Sequence, residues 1–173
     1  MSVYDFTIKN IKFEDVSLEK FRGKVVLIFN SATKCGYTRQ YEGIEELYEK
    51  YHEKGLEVID LPCNQFLNQA PGSNEELANF CQVKFNTKFE TFAKVNVNGD
   101  DAIDLYKYLK KVKPNDEKPG EENHKPSLID KVKGSGIKWN FTKFIIDRDG
   151  NVYGRYPSKV EPEELAPVIE KLL

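Results

Sequence analysis

A chain of 173 residues can build one well-buried core but is short for two ordinary domains, so residues 1–173 are read as a single domain. Apolar residues make up 39% and charged residues 31%, and 26 Lys and Arg against 28 Asp and Glu leave a net charge of -2. That is a soluble globular profile without the basic excess of a nucleic-acid partner, and no apolar run approaches the roughly 18 residues needed to span a membrane. MSVYDFTIKN has no apolar signal core, so the expected location is cytoplasmic.

Taken in chain order, TIKNIKFEDVSLE alternates around Lys9-Asn10 and predicts a short N-terminal hairpin, with a turn at Ser17 to Gly23. The continuous run Lys24-VVLIF-Asn30 predicts a strand buried on both faces. Ile44, Leu47, Tyr48 and Tyr51 fall at helical spacing within residues 40–54, and Gly55 ends that helix. Leu56 to Pro62 reads as the next strand, and Ser73-Asn74-Glu75-Glu76 as a capping box opening a second helix. Phe92 to Asn98 then reads as a third strand and Asp100 to Lys111 as a third helix.

Lys113 to Gly136 breaks the periodicity and reads as a long surface excursion. From Lys110 to Lys138, eight lysines face five acids, a mild docking surface at most. Trp139 to Arg148 predicts a strand, Asp149-Gly150 a hairpin turn, Asn151 to Pro157 the returning strand, and Glu161 to Leu173 a closing helix entered near Pro162. The expected fold class is α/β and thioredoxin-like: a central mixed sheet flanked by helices, with the N-terminal β-hairpin attached.

Chemistry in such sheets gathers at the carboxyl ends of the parallel strands. Three cysteines, Cys35, Cys63 and Cys81, match neither a dense disulfide framework nor zinc spacing, and His52 and His124 are isolated. No metal or other cofactor is expected; reactive thiol chemistry or inert burial remains.

In Asn30-SATKCGY-Thr38, Cys35 sits near the start of a helix, between Lys34 and Arg39, where a thiolate is favoured over a buried thiol. In Pro62-CNQ-Phe66, Gln65 is either a loop cap or a neutral donor, and Cys63 either a second thiol or a core residue. Trp139 and Asn140, where the excursion meets a strand, are either packing residues or two further neutral donors.

These three segments together resemble the glutathione peroxidase family. Its nucleophile loop is similar to Asn30-SATKCGY-Thr38, its P-C-N-Q-F segment stands at Pro62 to Phe66, and its K-W-N-F-x-K-F segment at Lys138 to Phe144. The resemblance spans nearly the whole chain and implies a peroxidase with a catalytic tetrad of Cys35, Gln65, Trp139 and Asn140. The family carries cysteine or selenocysteine at the place of Cys35. Cys81, in Asn79-FCQVK-Phe85, resembles the resolving cysteine of the thioredoxin-dependent members, although burial beside Phe80 and Leu77 is what its own helix suggests. The resemblance implies hydroperoxide substrates, a Cys35 sulfenic acid, a Cys35–Cys81 disulfide, and thioredoxin as reductant with glutathione as the second candidate. Pairing a helix cysteine with one in a distant loop implies unwinding near Asn79 to Asn86.

Where the family pattern G-x-Q-E-P-G follows CNQF, this chain has Leu67-NQAP-Gly72, keeping Gln69, Pro71 and Gly72, which implies a differently shaped loop. Glu90 stands where many relatives have proline, a departure that bears on packing. The family's long assembly insertion is absent, which implies a monomer, and no arginine cluster for glutathione stands out.

Two related chemistries fit less well. A C-x-x-C oxidoreductase would need a cysteine at Ala32 or Thr38, and a peroxiredoxin would need proline and threonine where Ile28 and Ala32 stand. A peroxide-sensing relay, passing its disulfide to a partner, would use the same site.

Overall fold

A computed structural model describes residues 1–173. The chain opens with the hairpin β1 (Thr7–Lys9) and β2 (Asp15–Ser17), antiparallel with Ile8 opposite Val16. The turn runs over Asn10 to Glu14, whose ends Asn10 and Glu14 are joined by a backbone bond of 3.0 Å, so the reversal falls later than Lys9-Asn10. The central sheet holds β3 (Val25–Ser31), β4 (Leu56–Pro62), β5 (Lys143–Ile146) and β6 (Val152–Tyr156) in the order β4-β3-β5-β6. β3 and β4 are parallel, while β3-β5 and β5-β6 are antiparallel, so the sheet is mixed, as the pattern predicts.

Strand periodicity sorts β3 between two cores. Val25, Leu27 and Phe29 enter one apolar cluster and Val26 and Ile28 the other. Burial on both faces is what the unbroken apolar run demands. The first face is covered by α1 (Gln40–Tyr51), α2 (Asn74–Phe85) and α5 (Ala166–Leu172), and the second by α3 (Asp104–Val112) and the N-terminal segment. Gly55 takes φ of 116° after a 3₁₀ turn at His52–Lys54, the left-handed stop its position predicts. Ser73 caps α2 by accepting from the Glu76 N–H, without the reciprocal bond of a full capping box.

Three expectations need correction. The segment from Phe92 to Asn98 is not a sheet strand: a single parallel bridge joins Thr91 to Asp60, and its N–H groups then go to different partners. Phe92 and Val95 donate to Asp60 and Pro62, Ala93 donates to Lys9, and Val97 and Asn98 donate to the Gln65 side chain. Side-chain acceptance replaces backbone acceptance at Val97 and Asn98. The Trp139 to Arg148 strand begins only at Lys143, because Phe141 adopts φ of 62° and folds residues 139–142 into a turn.

The excursion from Lys113 to Gly136, third, is not purely a surface feature. It contains a short helix, α4 (Leu128–Lys133), and its first residues seal the outer edge of β6. Glu117 donates its N–H to the Arg155 carbonyl at 2.7 Å and pairs with Lys113 at 3.1 Å, both side chains buried. Arg155 is buried and has many donors to satisfy, so Asp116 and the carbonyls of Lys113, Pro114, Ser135 and Gly136 fold around it. The outer part of α4 does stay exposed, at Leu128, Ile129 and Val132.

Candidate active site

Cys35 lies in the loop leaving the carboxyl end of β3, five residues ahead of α1. It is 9% exposed, at the margin of the core. Successive turns link it to the helix: Thr38 N–H donates to the Cys35 carbonyl at 3.1 Å, Gln40 to Tyr37 at 2.8 Å, and Tyr41 to Thr38 at 3.1 Å. The Thr38 hydroxyl staples this loop, accepting from Cys35 N–H at 3.0 Å and donating to the Ala32 carbonyl at 2.8 Å.

The sulfur accepts from the Tyr37 N–H at 3.4 Å. A donor aimed at sulfur favours an anion more than a neutral thiol. The flanking cations contribute less than their positions suggest. Arg39 forms a two-pronged pair with Glu161 at 2.9 and 2.7 Å, and Lys34 is exposed to water.

Trp139 is half-buried on the same core, its ring 5.6 Å from that of Phe66. Its indole N–H has no partner within the protein. Asn140 is fully buried. Its carbonyl accepts from the Ser158 hydroxyl, its amide nitrogen donates to Gln69 Oε1 at 3.2 Å, and its amide oxygen has no partner. Lys143 braces the turn from within, donating to the Phe141 and Val160 carbonyls at 2.7 Å each. Burial brings its ammonium group down to about 7.

Gln65 does not join this group. Its amide oxygen accepts from Val97 N–H at 2.7 Å and Asn98 N–H at 3.0 Å, and its amide nitrogen donates to the Asn98 carbonyl at 2.9 Å. It also lies 3.7 Å from the sulfur of Cys63, which belongs to the other core cluster. The glutamine facing Asn140 is Gln69, four residues on. Its carbonyl accepts from Thr33 and Lys34 N–H at 3.1 and 2.9 Å, binding its loop to the one that carries Cys35.

Leu67 and Asn68 reach this arrangement with φ of 54° and 53°, a left-handed pair in which neither residue is glycine. The departure from glycine at 67 has therefore not abolished the turn. The signal for Gln69 was the surviving Gln-x-Pro-Gly of residues 69–72.

The other two cysteines differ by face. Cys81, on α2, is fully buried in the same cluster as Cys35, and Cys63 is fully buried in the opposite one. All three are free thiols. Burial and the Asp60 carboxylate push Cys81 up to about 12, and burial raises Cys63. No three His, Cys, Asp or Glu side chains converge at metal-binding distance. A cavity of about 540 Å³ lies against the excursion, lined largely by polar and charged residues such as Asp116, Glu117 and Lys138; Cys35, Gln69, Trp139 and Asn140 are not in its wall.

The Cys35 loop is bonded to the loop of Gln69, whose amide meets that of Asn140; a thiol with neutral amide and indole donors in reach has the chemistry to attack a polarised bond and stabilise a departing oxygen. Comparison with known proteins points the same way. The glutathione peroxidase family pattern matches residues 3–110. A glutathione peroxidase homolog of Neisseria meningitidis is 46% identical, with all of both chains covered, and so is a glutathione peroxidase of Lactococcus lactis. A probable phospholipid hydroperoxide glutathione peroxidase of Mesembryanthemum crystallinum is 43% identical over 99% of this chain and 92% of its own. Among solved structures, T. cruzi GPX1 superposes with a TM-score of 0.74 at 31% identity, covering 99% of this chain and 96% of that one. Sequence, fold and relatives agree that the chain belongs to the glutathione peroxidase family and is a peroxidase that reduces hydroperoxides.

Proposed function

We propose that this peroxidase reduces hydrogen peroxide and organic or lipid hydroperoxides through Cys35, that Cys81 resolves the oxidised form, and that thioredoxin recycles it in the cytoplasm. The observation that carries the reading is the division of cysteines by the sheet: Cys35 and Cys81 share one core and Cys63 lies in the other. In the first step the Cys35 thiolate attacks the terminal peroxide oxygen. The O–O bond breaks, the alkoxide or hydroxide leaves with a proton, and Cys35 becomes a sulfenic acid. Gln69, Trp139 and Asn140 supply the neutral donors, with Gln69 rather than Gln65 as the glutamine of the tetrad.

In the second step the Cys81 sulfur forms a bond to Cys35 and expels water. A dithiol reductant then opens that disulfide by exchange. Glutathione is the second candidate reductant. A monomer leaves the Cys35 loop open to bulky hydroperoxides, and position 35 serves as cysteine without added cofactor.

The test is to give the reduced protein one equivalent of peroxide, map disulfides by peptide mass spectrometry, and compare recovery with thioredoxin and glutathione. A Cys35–Cys81 bond, free Cys63 and faster recovery with thioredoxin are expected. A Cys35–Cys63 bond overturns the resolver. Steady turnover with thioredoxin identifies an enzyme, whereas a stable mixed disulfide with one client and negligible turnover identifies a relay.

A further inference from the structure

Asp60 is a fully buried carboxylate on β4 that the chemistry above leaves without a role. Strand alternation turns it to the face covered by α1 and α2, inward of Leu56 and Val58. Side chains from four separate segments donate to it: the Ser31 hydroxyl from β3, Tyr41 from α1 at 2.9 Å, Thr91 at 2.9 Å, and the thiol of Cys81 from α2 at 4.0 Å. No cationic side chain pairs with it. Its negative charge also bears on Tyr106 of α3, which burial first, and then the Cys63 and Asp60 charges, push upward. A carboxylate in an apolar core without a counter-ion is costly, and one aimed at a thiol is a candidate base.

We propose that Asp60 is the proton acceptor for Cys81 when that thiol attacks oxidised Cys35. The proposal rests on Cys81 being the resolving cysteine. The S–H proton passes to the carboxylate, the Cys81 sulfur uses the freed electron pair to form the S–S bond, and the S–O bond of the Cys35 sulfenic acid breaks. The departing hydroxide takes a proton to become water, and Asp60 gives its proton up again. The sum is one sulfenic acid plus one thiol giving one disulfide plus water.

The charge balance favours this route. Ionising Cys81 beside an ionised Asp60 would place two anions together in the core, whereas transfer between them keeps the total at one. The 4.0 Å contact is at the long end for a sulfur donor, and acid–base contacts of this kind tighten in the reacting state. Burial holds Asp60 up at about 6, so it is ionised but basic near neutral pH. The exposed last turn of α2, at Gln82 to Lys84, lets the sulfur move toward Cys35 once the proton has left.

The test is single-turnover disulfide formation after one equivalent of peroxide, followed from pH 5 to 8 in wild type, Asp60→Asn, Thr91→Val and Cys81→Ser, with amide exchange over residues 74–85. Asp60→Asn is expected to slow disulfide formation by about a hundredfold and to flatten its rise with pH, leaving Cys35 oxidation unchanged. Thr91→Val keeps the carboxylate but removes a donor, so it is expected to move the midpoint of that rise to higher pH; it also serves if Asp60→Asn does not fold. Wild-type rate and profile in Asp60→Asn, or an unmoved midpoint in Thr91→Val, overturn the proposal. So does a slowing in Asp60→Asn matched by equal slowing of amide exchange, which would place the effect in helix opening. An intramolecular disulfide persisting in Cys81→Ser instead overturns the resolver itself, and Asp60's role with it.

Discussion

On one face of the central sheet, Cys35 and Cys81 share a core with a buried carboxylate and the hydroxyls of Ser31, Tyr41 and Thr91. On the other, Cys63 shares a cluster with Leu61, Phe92, Val97 and Tyr106, and its thiol meets the already committed amide oxygen of Gln65 at 3.7 Å. Both faces exclude water. Only one offers a carboxylate beside a thiol, so on the proposed reading what separates a resolving cysteine from a packing one is its neighbours, not its depth.

The sharpest way to break that contrast is to remove each thiol in turn. Cys35→Ser is expected to lower peroxide consumption on the order of a thousandfold, because the hydroxyl that replaces it is a far weaker nucleophile. Cys63→Ser is expected to leave the rate within about twofold, its cost appearing as stability through a hydroxyl left in an apolar pocket. Equal losses from the two would erase the distinction between the faces. Cys81→Ser should consume the first equivalent of peroxide at the wild-type rate yet lose thioredoxin-supported turnover by about a hundredfold. Stopped-flow and steady-state assays on the same samples read both.

A finer cut separates the two glutamines. Gln69→Ala removes a side chain bonded to Asn140 and is expected to slow Cys35 oxidation by about a hundredfold, the usual scale for one donor at a developing oxyanion. Gln65→Ala is expected to leave that rate within about twofold while lowering stability by about 1 kcal/mol, since Val97 and Asn98 lose their acceptor at a solvent-exposed site. Pre-steady-state rates beside a urea melt decide between them, and a slow Gln65→Ala would restore Gln65 to the site.

That pair also shows what a linear chain conceals. β3 was legible because an unbroken apolar run has few other uses, and Gly55 and Asp149-Gly150 mark their turns through φ values of 116° and, at Gly150, 82°. The Phe92 to Asn98 segment has the same alternation as a strand, but alternation cannot say whether an N–H meets a neighbouring backbone or a Gln65 side chain. Both glutamines follow β4 in a polar loop. Which one turns toward Asn140 depends on the left-handed pair Leu67 and Asn68, residues with weak preference for that conformation. Asp60 was hidden more completely: its role emerges only when residues 31, 41, 81 and 91 meet around it.

The smallest effect is thermodynamic and tests the carboxylate directly. Asp60 rises from 3.8 to about 6 in the folded protein, chiefly through burial, against three hydroxyl donors that pull it down. Because the folded value lies above the unfolded one, the protonated form is the better fit for the core. Its stabilising contribution is complete below about 3.8 and is lost as pH rises through about 6. A shift of that size corresponds to about 3 kcal/mol at neutral pH, an upper scale for a site that relaxes. Asp60→Asn is neutral at every pH and keeps an acceptor for the hydroxyls. Its Tm at pH 7 is therefore expected to exceed wild type by about 2–6 °C, with the gap closing near pH 4. Calorimetry at the two pH values checks this. A gap that stays constant would mean the carboxylate is not strained by its surroundings, leaving the Cys63 face and the Cys81 face electrostatically alike.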